Sequence, residues 1–197
     1  SENYGTNWTN LNSTLNLTQF YRITSDPSNS MHIMGGTQDN GIQRTTGSPI
    51  WNVLIFGGDG GDVCFHSVDN NYILAENQFN RIKRSVNGGL SWSTDTTGLF
   101  GSAAWVAPII SNPDSAGIFY TARQQLFKSI DYGDNWFPYS TGTTGAIREL
   151  SISGSDPEMI YAVTGISLYL STNGGITFFN RAAGLPNRVI TSVCIHP

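Results

Sequence analysis

Four short apolar runs, MHIM (31–34), YILAE (72–76), GIFYTA (117–122) and MIYAV (159–163), punctuate the chain, and each follows a polar turn. Those turns read SDPS (25–28), SVDN (67–70), NPDS (112–115) and SDPE (155–158). Apolar runs of this length bounded by turn residues predict buried strands, and no segment carries the spacing of a long amphipathic helix. A second kind of turn recurs between them. SVNGGLSW begins at Ser85, SIDYGDNW at Ser129 and STNGGITF at Ser171, at spacings of 44 and 42 residues. SENYGTNW at the start keeps Ser1, Asn3, Gly5 and Trp8 in matching places, and TTGSPIW (45–51) is a worn copy.

Each part of this signature has a physical task. A Ser or Thr hydroxyl and an Asp or Asn oxygen two residues on can accept backbone N–H groups and close a tight corner. Gly5, Gly89, Gly133 and Gly175 supply the positive φ that a residue with a Cβ adopts at a cost. Trp8, Trp51, Trp92, Trp136 or Phe178 then opens the next strand with a large apolar face to bury. Four of the five tryptophans are thus expected to be core anchors; Trp105 lies outside the repeat.

A period near 40 residues suits a four-stranded propeller blade and is too long for an ankyrin or tetratricopeptide unit. The repeat orders the strands: inner A, an A–B turn, B, a loop, C, the Ser-to-Trp corner and outer D. Four complete blades are expected at about 19–56, 60–97, 103–140 and 146–181. An orphan D strand precedes them and an orphan A strand, VITSVCIHP, follows. Raw strand edges at both ends would leave backbone unpaired, which predicts a fragment of a larger propeller or a chain completed by a partner.

The pattern S-x-D-x-G-x-T-W resembles the Asp-box, or BNR, repeat of sialidases, sortilin-like receptors and xyloglucanase-like secreted glycosidases, along nearly the whole chain. The residues carrying it are Ser85, Asn87, Gly89 and Trp92; Ser129, Asp131, Gly133 and Trp136; and Ser171, Asn173, Gly175 and Phe178. The resemblance implies an all-β Asp-box propeller and an extracellular or cell-surface location. It also implies that these corners hold the fold together on the face opposite the functional one.

Composition narrows the choices. The 197 residues are 39% hydrophobic and only 12% charged, with 22 glycines, as many short strands and tight turns require. A net charge of −4 without a long basic run argues against nucleic acid. No stretch of about 18 apolar residues could span a bilayer, and the N-terminus lacks the pattern of a signal peptide. Cys64 and Cys194 fall at equivalent points of two A strands some three blades apart, too far for a disulfide, and are expected as packed thiols. His66 and His196 share a strand-end position and are expected to be structural. No four zinc-type ligands converge, so neither a metal nor a cofactor is expected.

Chemistry should sit on the B–C and D–A loops. GGTQDNG (35–41), FGGDGGD (56–62) and ENQFNR (76–81) are dense in carboxylates and amides, whereas TGIS (164–167) is nearly bare. Asp39, Asp59, Asp62 and Glu76 could therefore converge, with Gln38, Asn40, Asn77, Gln78 and Arg123 beside them to meet a ligand. Two carboxylates across a scissile bond would serve glycoside hydrolysis. The family resemblance of the GTQDNG and GGDGGD loops implies Asp39 as a catalytic residue, with Asp59 or Asp62 as its partner. The glycosidases draw their pair from two propellers, and one chain of this length supplies half of that.

Plain turn chemistry explains the same loops, because Asp and Asn beside Gly are usual turn residues. Calcium on Asp59 and Asp62 is a minor variant. For a sialidase, Tyr21-Arg22-Ile23-Thr24 only partly matches the F-R-I-P motif. Arg22 is expected in a contact between blades, Arg81 and Arg123 in loop hydrogen bonds, and Arg148 completes the arginine set on paper. Three sequons (7–9, 12–14 and 16–18) are candidate glycosylation sites. Three readings stay open: a noncatalytic module binding carbohydrate or protein, a fragment of a glycoside hydrolase, and a structural repeat in a secreted or surface assembly.

Overall fold

The protein is described by a computed structural model, which defines residues 1–9, 17–55, 57–94, 97–140 and 142–196. Among these residues there is no helix. Sheet 1 holds β1 (Phe20–Asp26), β2 (Asn29–Thr37), β3 (Gly41–Thr46) and β4 (Asn52–Ile55) in that order. Sheet 2 holds β5 (Gly60–Phe65), β6 (Ile73–Asn77) and β7 (Arg81–Ser85), and a bridge between Arg84 and Ser93 stands in for a fourth strand. Sheet 3 comprises β8 (Ile109–Ser111), β9 (Phe119–Ala122), β10 (Leu126–Ser129) and β11 (Phe137–Pro138). Sheet 4 comprises β12 (Glu149–Ile152), β13 (Met159–Thr164), β14 (Ser167–Thr172) and β15 (Phe179–Asn180). Every paired strand within these sheets is antiparallel. The first strands stand side by side, β1 against β5, β5 against β8 and β8 against β12.

The second strands of sheets 2 and 3, β6 and β9, are buried on both sides along their whole length, so their apolar residues follow one another without the alternation of a half-exposed strand. Successive side chains of a strand point to opposite faces. In β6, Ile73 and Ala75 join Met34, Ile42, Val63 and Phe65 in the seam with sheet 1. Leu74, between them, joins Ile109, Phe119, Phe127 and Trp136 in the seam with sheet 3. In β9, Phe119 faces sheet 2 while Tyr120 and Ala122 join Leu150, Ile160 and Phe178 in the seam with sheet 4. The core is thus a series of seams between neighbouring sheets.

Four corners share one hydrogen-bond pattern. Ser129 Oγ donates to Asp131 Oδ1 at 2.8 Å and accepts Gly133 N at 2.8 Å, while Asp131 Oδ1 accepts Asn135 N at 3.0 Å. The corners led by Ser1, Ser85 and Ser171 repeat all three bonds. Their glycines have φ of 84°, 81°, 87° and 91° for Gly5, Gly89, Gly133 and Gly175. Burial works against the charge on Asp131, but bonds from Asn135, Ser129 and Asp134 outweigh it and hold the carboxyl below its usual value. The worn copy closes differently, with Thr45 Oγ1 on Ser48 O and Ser48 Oγ accepting Ile50 N.

The corners led by Ser129 and Ser171 also dock on the preceding sheet. A Cβ on Gly133 would lie 2.6 Å from Leu74 Cδ2, and one on Gly175 would lie 2.5 Å from Leu126 Cδ2. Two cations just before a corner, Arg44 and Arg84, reach forward to the next. Arg44 Nη1 donates to Gly88 O at 3.5 Å, and Arg84 Nε donates to Tyr132 O at 2.9 Å. Lys128 instead sits over the Tyr139 ring at 4.7 Å. Tyr72 stacks on Tyr132 at 3.6 Å beneath Arg84, a further tie across the same seam.

The aromatic residues of the repeat meet different fates. Trp136 and Phe178 are buried, and Trp136 Nε1 donates to Gly133 O at 3.1 Å. Trp92 and Trp51 are half-buried, Trp51 against Phe20. Trp8 is a correction to its expected role as an anchor: it is exposed, and the one contact a Cβ on Gly5 would meet is Trp8 itself. Cys194 is likewise exposed, whereas Cys64 is half-buried and its thiol is pushed well above the usual range, by burial first and by the nearby Asp62 second. Residues 189–196 run beside sheet 4 without a strand ladder, held by Ile190 N on Gly165 O and Ile195 N on Ser151 Oγ. The sequons at 12–14 and 16–18 begin outside the described residues.

The A–B turns are capped by one side chain each, of four different types. Asp26, Asn112 and Ser153 accept backbone N–H groups just downstream. His66 does so through Nδ1, which accepts Val68 N at 3.1 Å and Asp69 N at 3.3 Å. Burial lowers its pKa, keeping the ring neutral with Nδ1 as an acceptor. Its position at a strand end is therefore structural.

Candidate functional site

The loops opposite the corners gather around the inner strands. Here the backbones of sheets 1 and 2 touch, and glycine permits it: a Cβ on Gly36 would fall 1.9 Å from Gly61 O. Much of the glycine in GGTQDNG and GGDGGD serves this close approach.

Three of the four candidate carboxylates stitch backbone together. Asp59 is 6% exposed; its Oδ1 accepts Asp39 N at 2.8 Å and its Oδ2 accepts the Tyr21 hydroxyl at 2.9 Å. Asp62 accepts Val63 N at 3.0 Å and, across the seam, Ile109 N at 2.9 Å. Glu76 is fully buried, with Asn80 N at 2.7 Å and Ala107 N at 3.0 Å on Oε1, and Asp62 N at 3.2 Å on Oε2. Burial pushes Glu76 up to about 8, against the pull of the Ala107, Asn80 and Asp62 amides. It likewise pushes Asp62 up to about 6, opposed by the Ile109 amide and the Arg22 charge. Asp39 differs. It is exposed, at φ 61° in the β2–β3 turn, and binds Asp59 through its amide, which leaves its carboxylate directed to solvent.

The amides divide in the same way. Gln38 and Asn40 are exposed on the Asp39 turn, with Asn40 Nδ2 folded onto Gln38 O. Asn77 is buried and spans to Gly57 O and Asp59 O. Gln78 is half-buried and faces the open side of the β6–β7 turn. Arg123 is fixed by Asn80 Oδ1, Asn80 O and Gly101 O. Arg22, on β1, pairs with Glu149 on β12, joining the inner strands of sheets 1 and 4. Burial alone would lower the Arg22 pKa, but Glu149, Asp62 and Glu76 together raise it.

Sequence reasoning missed the aromatic part. Trp105, from the 99–108 loop, and Phe79, from the β6–β7 turn, are each 47% exposed and meet edge to face with centroids 5.0 Å apart. Trp105 borders a cavity of about 230 Å³ that is also lined by Tyr21, Arg22, Arg148 and Glu149. The Tyr21 hydroxyl proton is held by Asp59, which raises its pKa. Phe79 and Asn80 both take positive φ, 63° and 58°, a conformation bulky residues rarely adopt. The neighbours impose it: Phe79 N donates to Trp105 O at 3.0 Å, and Asn80 is gripped by Glu76, Thr121 and Arg123. Backbone strain held in place this way is a mark of sites that must present a side chain. The available signal was that Trp105 is the tryptophan outside the repeat.

Radially neighbouring four-stranded antiparallel sheets with loops converging on one face define a β-propeller. Solved structures agree: an ancestral GH74 enzyme (TM-score 0.72, 19% identity) matches over 86% of this chain and 26% of its own. YCF48 from Cyanidioschyzon merolae (TM-score 0.65, 14% identity) matches over 89% of this chain and 59% of its own. An auxiliary nutrient binding protein from Bacteroides thetaiotaomicron (TM-score 0.63, 13% identity) matches over 82% and 41%. The chain thus spans about a quarter of the GH74 enzyme and just under three fifths of YCF48. No protein-family model matches the chain, and no curated protein does. Among the described residues no helix is long and apolar enough to cross a membrane, and no three His, Cys, Asp or Glu side chains group as metal ligands.

Proposed function

We propose that this chain is an extracellular or cell-surface Asp-box propeller module that binds carbohydrate without catalysis, on the face opposite the Asp-box corners. The observation that carries the reading is the Trp105–Phe79 pair, two half-exposed rings in edge-to-face contact, with Trp105 bordering a cavity lined by the polar groups of Tyr21, Arg22, Arg148 and Glu149. Flat aromatic faces next to hydrogen-bonding groups suit a sugar ring, which offers C–H to one side and hydroxyls to the other. The likeness to a GH74 enzyme and to a nutrient binding protein is consistent with a saccharide ligand.

The test is calorimetric titration with neutral oligosaccharides of xyloglucan and galactan. Trp105→Ala should weaken binding by about 2 kcal/mol, the scale of an aromatic anchor, which is roughly 30-fold. Retention of full affinity by that variant would remove the platform from the argument. A second reading, part of a glycoside hydrolase, rests on the open carboxylate of Asp39. It predicts slow hydrolysis by the full-length polypeptide, abolished in Asp39→Asn. A protein ligand on the same face is the remaining alternative, supported by the likeness to YCF48, which has been solved bound to a D1 peptide.

A further inference from the structure

One turn away from the aromatic pair, on the other side of Gln78, a groove of about 460 Å³ opens between sheets 2 and 3. Its rim carries Arg81, Lys83 and Arg123, three of the ten cations of a chain whose net charge is −4. Arg81 and Lys83 lie two apart on β7 and therefore project from one face of that strand, while Ile82 between them is buried. None of the described residues that line the groove is a carboxylate. The ion pairs among the described residues are Arg22–Glu149, His32–Asp26 and Arg84–Asp134, none of which involves the groove. The acceptors on Arg123 are all neutral, a side-chain amide oxygen and two backbone carbonyls. Burial without a counter-charge lowers the Arg123 pKa.

The rest of the lining is uncharged and hydrogen-bonding: Asn77, Gln78, Asn80 and Thr94. Arg123 is also pre-positioned, since Asn80 holds it from two sides and Glu76 holds Asn80 in turn. A fixed guanidinium beside two unpaired cations, in a concave amide-lined site, is what an anion needs in order to bind against water.

We propose that this groove binds the anionic substituents, carboxylate or sulfate, of an acidic glycan whose neighbouring rings stack on Trp105 and Phe79. The inference rests on the carbohydrate reading above and adds to it the class of sugar. Phe79 and Arg81 flank Asn80 on the same strained turn, so the stacking surface and the charged groove are set by one short stretch of backbone. A chain crossing that turn meets both.

The experiment compares oligogalacturonate, a sulfated galactan oligomer and a neutral galactan oligomer of equal length, titrated into the intact chain at low salt. At least one acidic oligomer should bind about tenfold or more tightly than the neutral one, and which of the two prevails names the anion. The preference should fade toward 0.5 M salt, where charges are screened over about 4 Å. Arg81→Gln combined with Lys83→Gln, both on the groove rim, should bring the acidic oligomer down to the neutral affinity while leaving the neutral one unchanged. Trp105→Ala should weaken all three. Equal binding of acidic and neutral oligomers, or an acidic preference untouched by the double variant, overturns the groove and leaves the platform standing. Failure of all three oligomers to bind overturns both.

Discussion

The docking of the Ser129 corner on the preceding sheet can be measured through Gly133→Ala. Gly133 sits at φ 87°, so an alanine there costs about 1–2 kcal/mol in backbone conformation. Its Cβ would also lie 2.6 Å from Leu74 Cδ2 and 2.9 Å from Leu74 Cδ1, in a seam that already contains Trp136, Phe119 and Phe127. Leu74 is fully buried and has little room to withdraw, which adds an overpacking cost of about 1–3 kcal/mol. The sum is roughly 2–5 kcal/mol. Gly88→Ala is the control. Gly88 also has positive φ, 66°, but a Cβ there meets nothing within 4 Å, so about 1 kcal/mol is expected. Urea melts followed by tryptophan fluorescence should show the midpoint falling much further in Gly133→Ala, with an unchanged slope. Thermal midpoints should separate by about 2–4 °C for each kcal/mol of difference. Adding Leu74→Val to Gly133→Ala should recover part of the loss, as expected for residues in contact. If the two glycine variants melt within about 0.5 kcal/mol of each other, the corner does not pack on Leu74 and the seam has been misread.

Arg84→Gln should cost about 1–2 kcal/mol by releasing the Tyr132 carbonyl and uncovering Tyr72, read from the same urea melts. Glu76→Gln should cost about 1–3 kcal/mol above about pH 8, where the native carboxyl is ionised and both oxygens accept, because an amide NH2 would face backbone N–H groups that now have an acceptor; hydrogen exchange at Asn80 and Ala107 should rise with it. His66 gives a dependence on pH. Its native pKa is depressed, so its contribution is complete above about pH 6.5, declines as the unfolded state takes up the proton first, and is gone below the native pKa. His66→Asn keeps a cap of the kind Asn112 provides, and its stability should lack this decline between neutral and mildly acid pH.

The repeat was legible because its chemistry is local. Ser129, Asp131 and Gly133 bond within five residues, so spacing alone reveals the corner, and the doubly apolar runs betray strands buried on both sides. The forward reach of Arg44 and Arg84 was not legible, since each meets a carbonyl 44 or 48 residues away. The candidate site was half legible. Composition located the loops around Asp39, Asp59 and Gln78, but Asp59, Asp62 and Glu76 look like open carboxylates in sequence. Their oxygens prove to be occupied by amides from other segments. Phe79 was hidden for a further reason: nothing in ENQFNR announces two consecutive left-handed residues, which are imposed by Trp105, Thr121 and Arg123 from sheet 3 and the segment before it.

The Arg22–Glu149 pair also bears on how an acidic ligand would be sensed. By tying β1 to β12, it places a matched pair of charges in the wall of the cavity beside Trp105. A sugar stacked on Trp105 would therefore lie over a neutralised pair and not over a lone cation. Any preference for acid would have to come from Arg81 and Lys83, a separate element of the chain that can be altered without disturbing this tie.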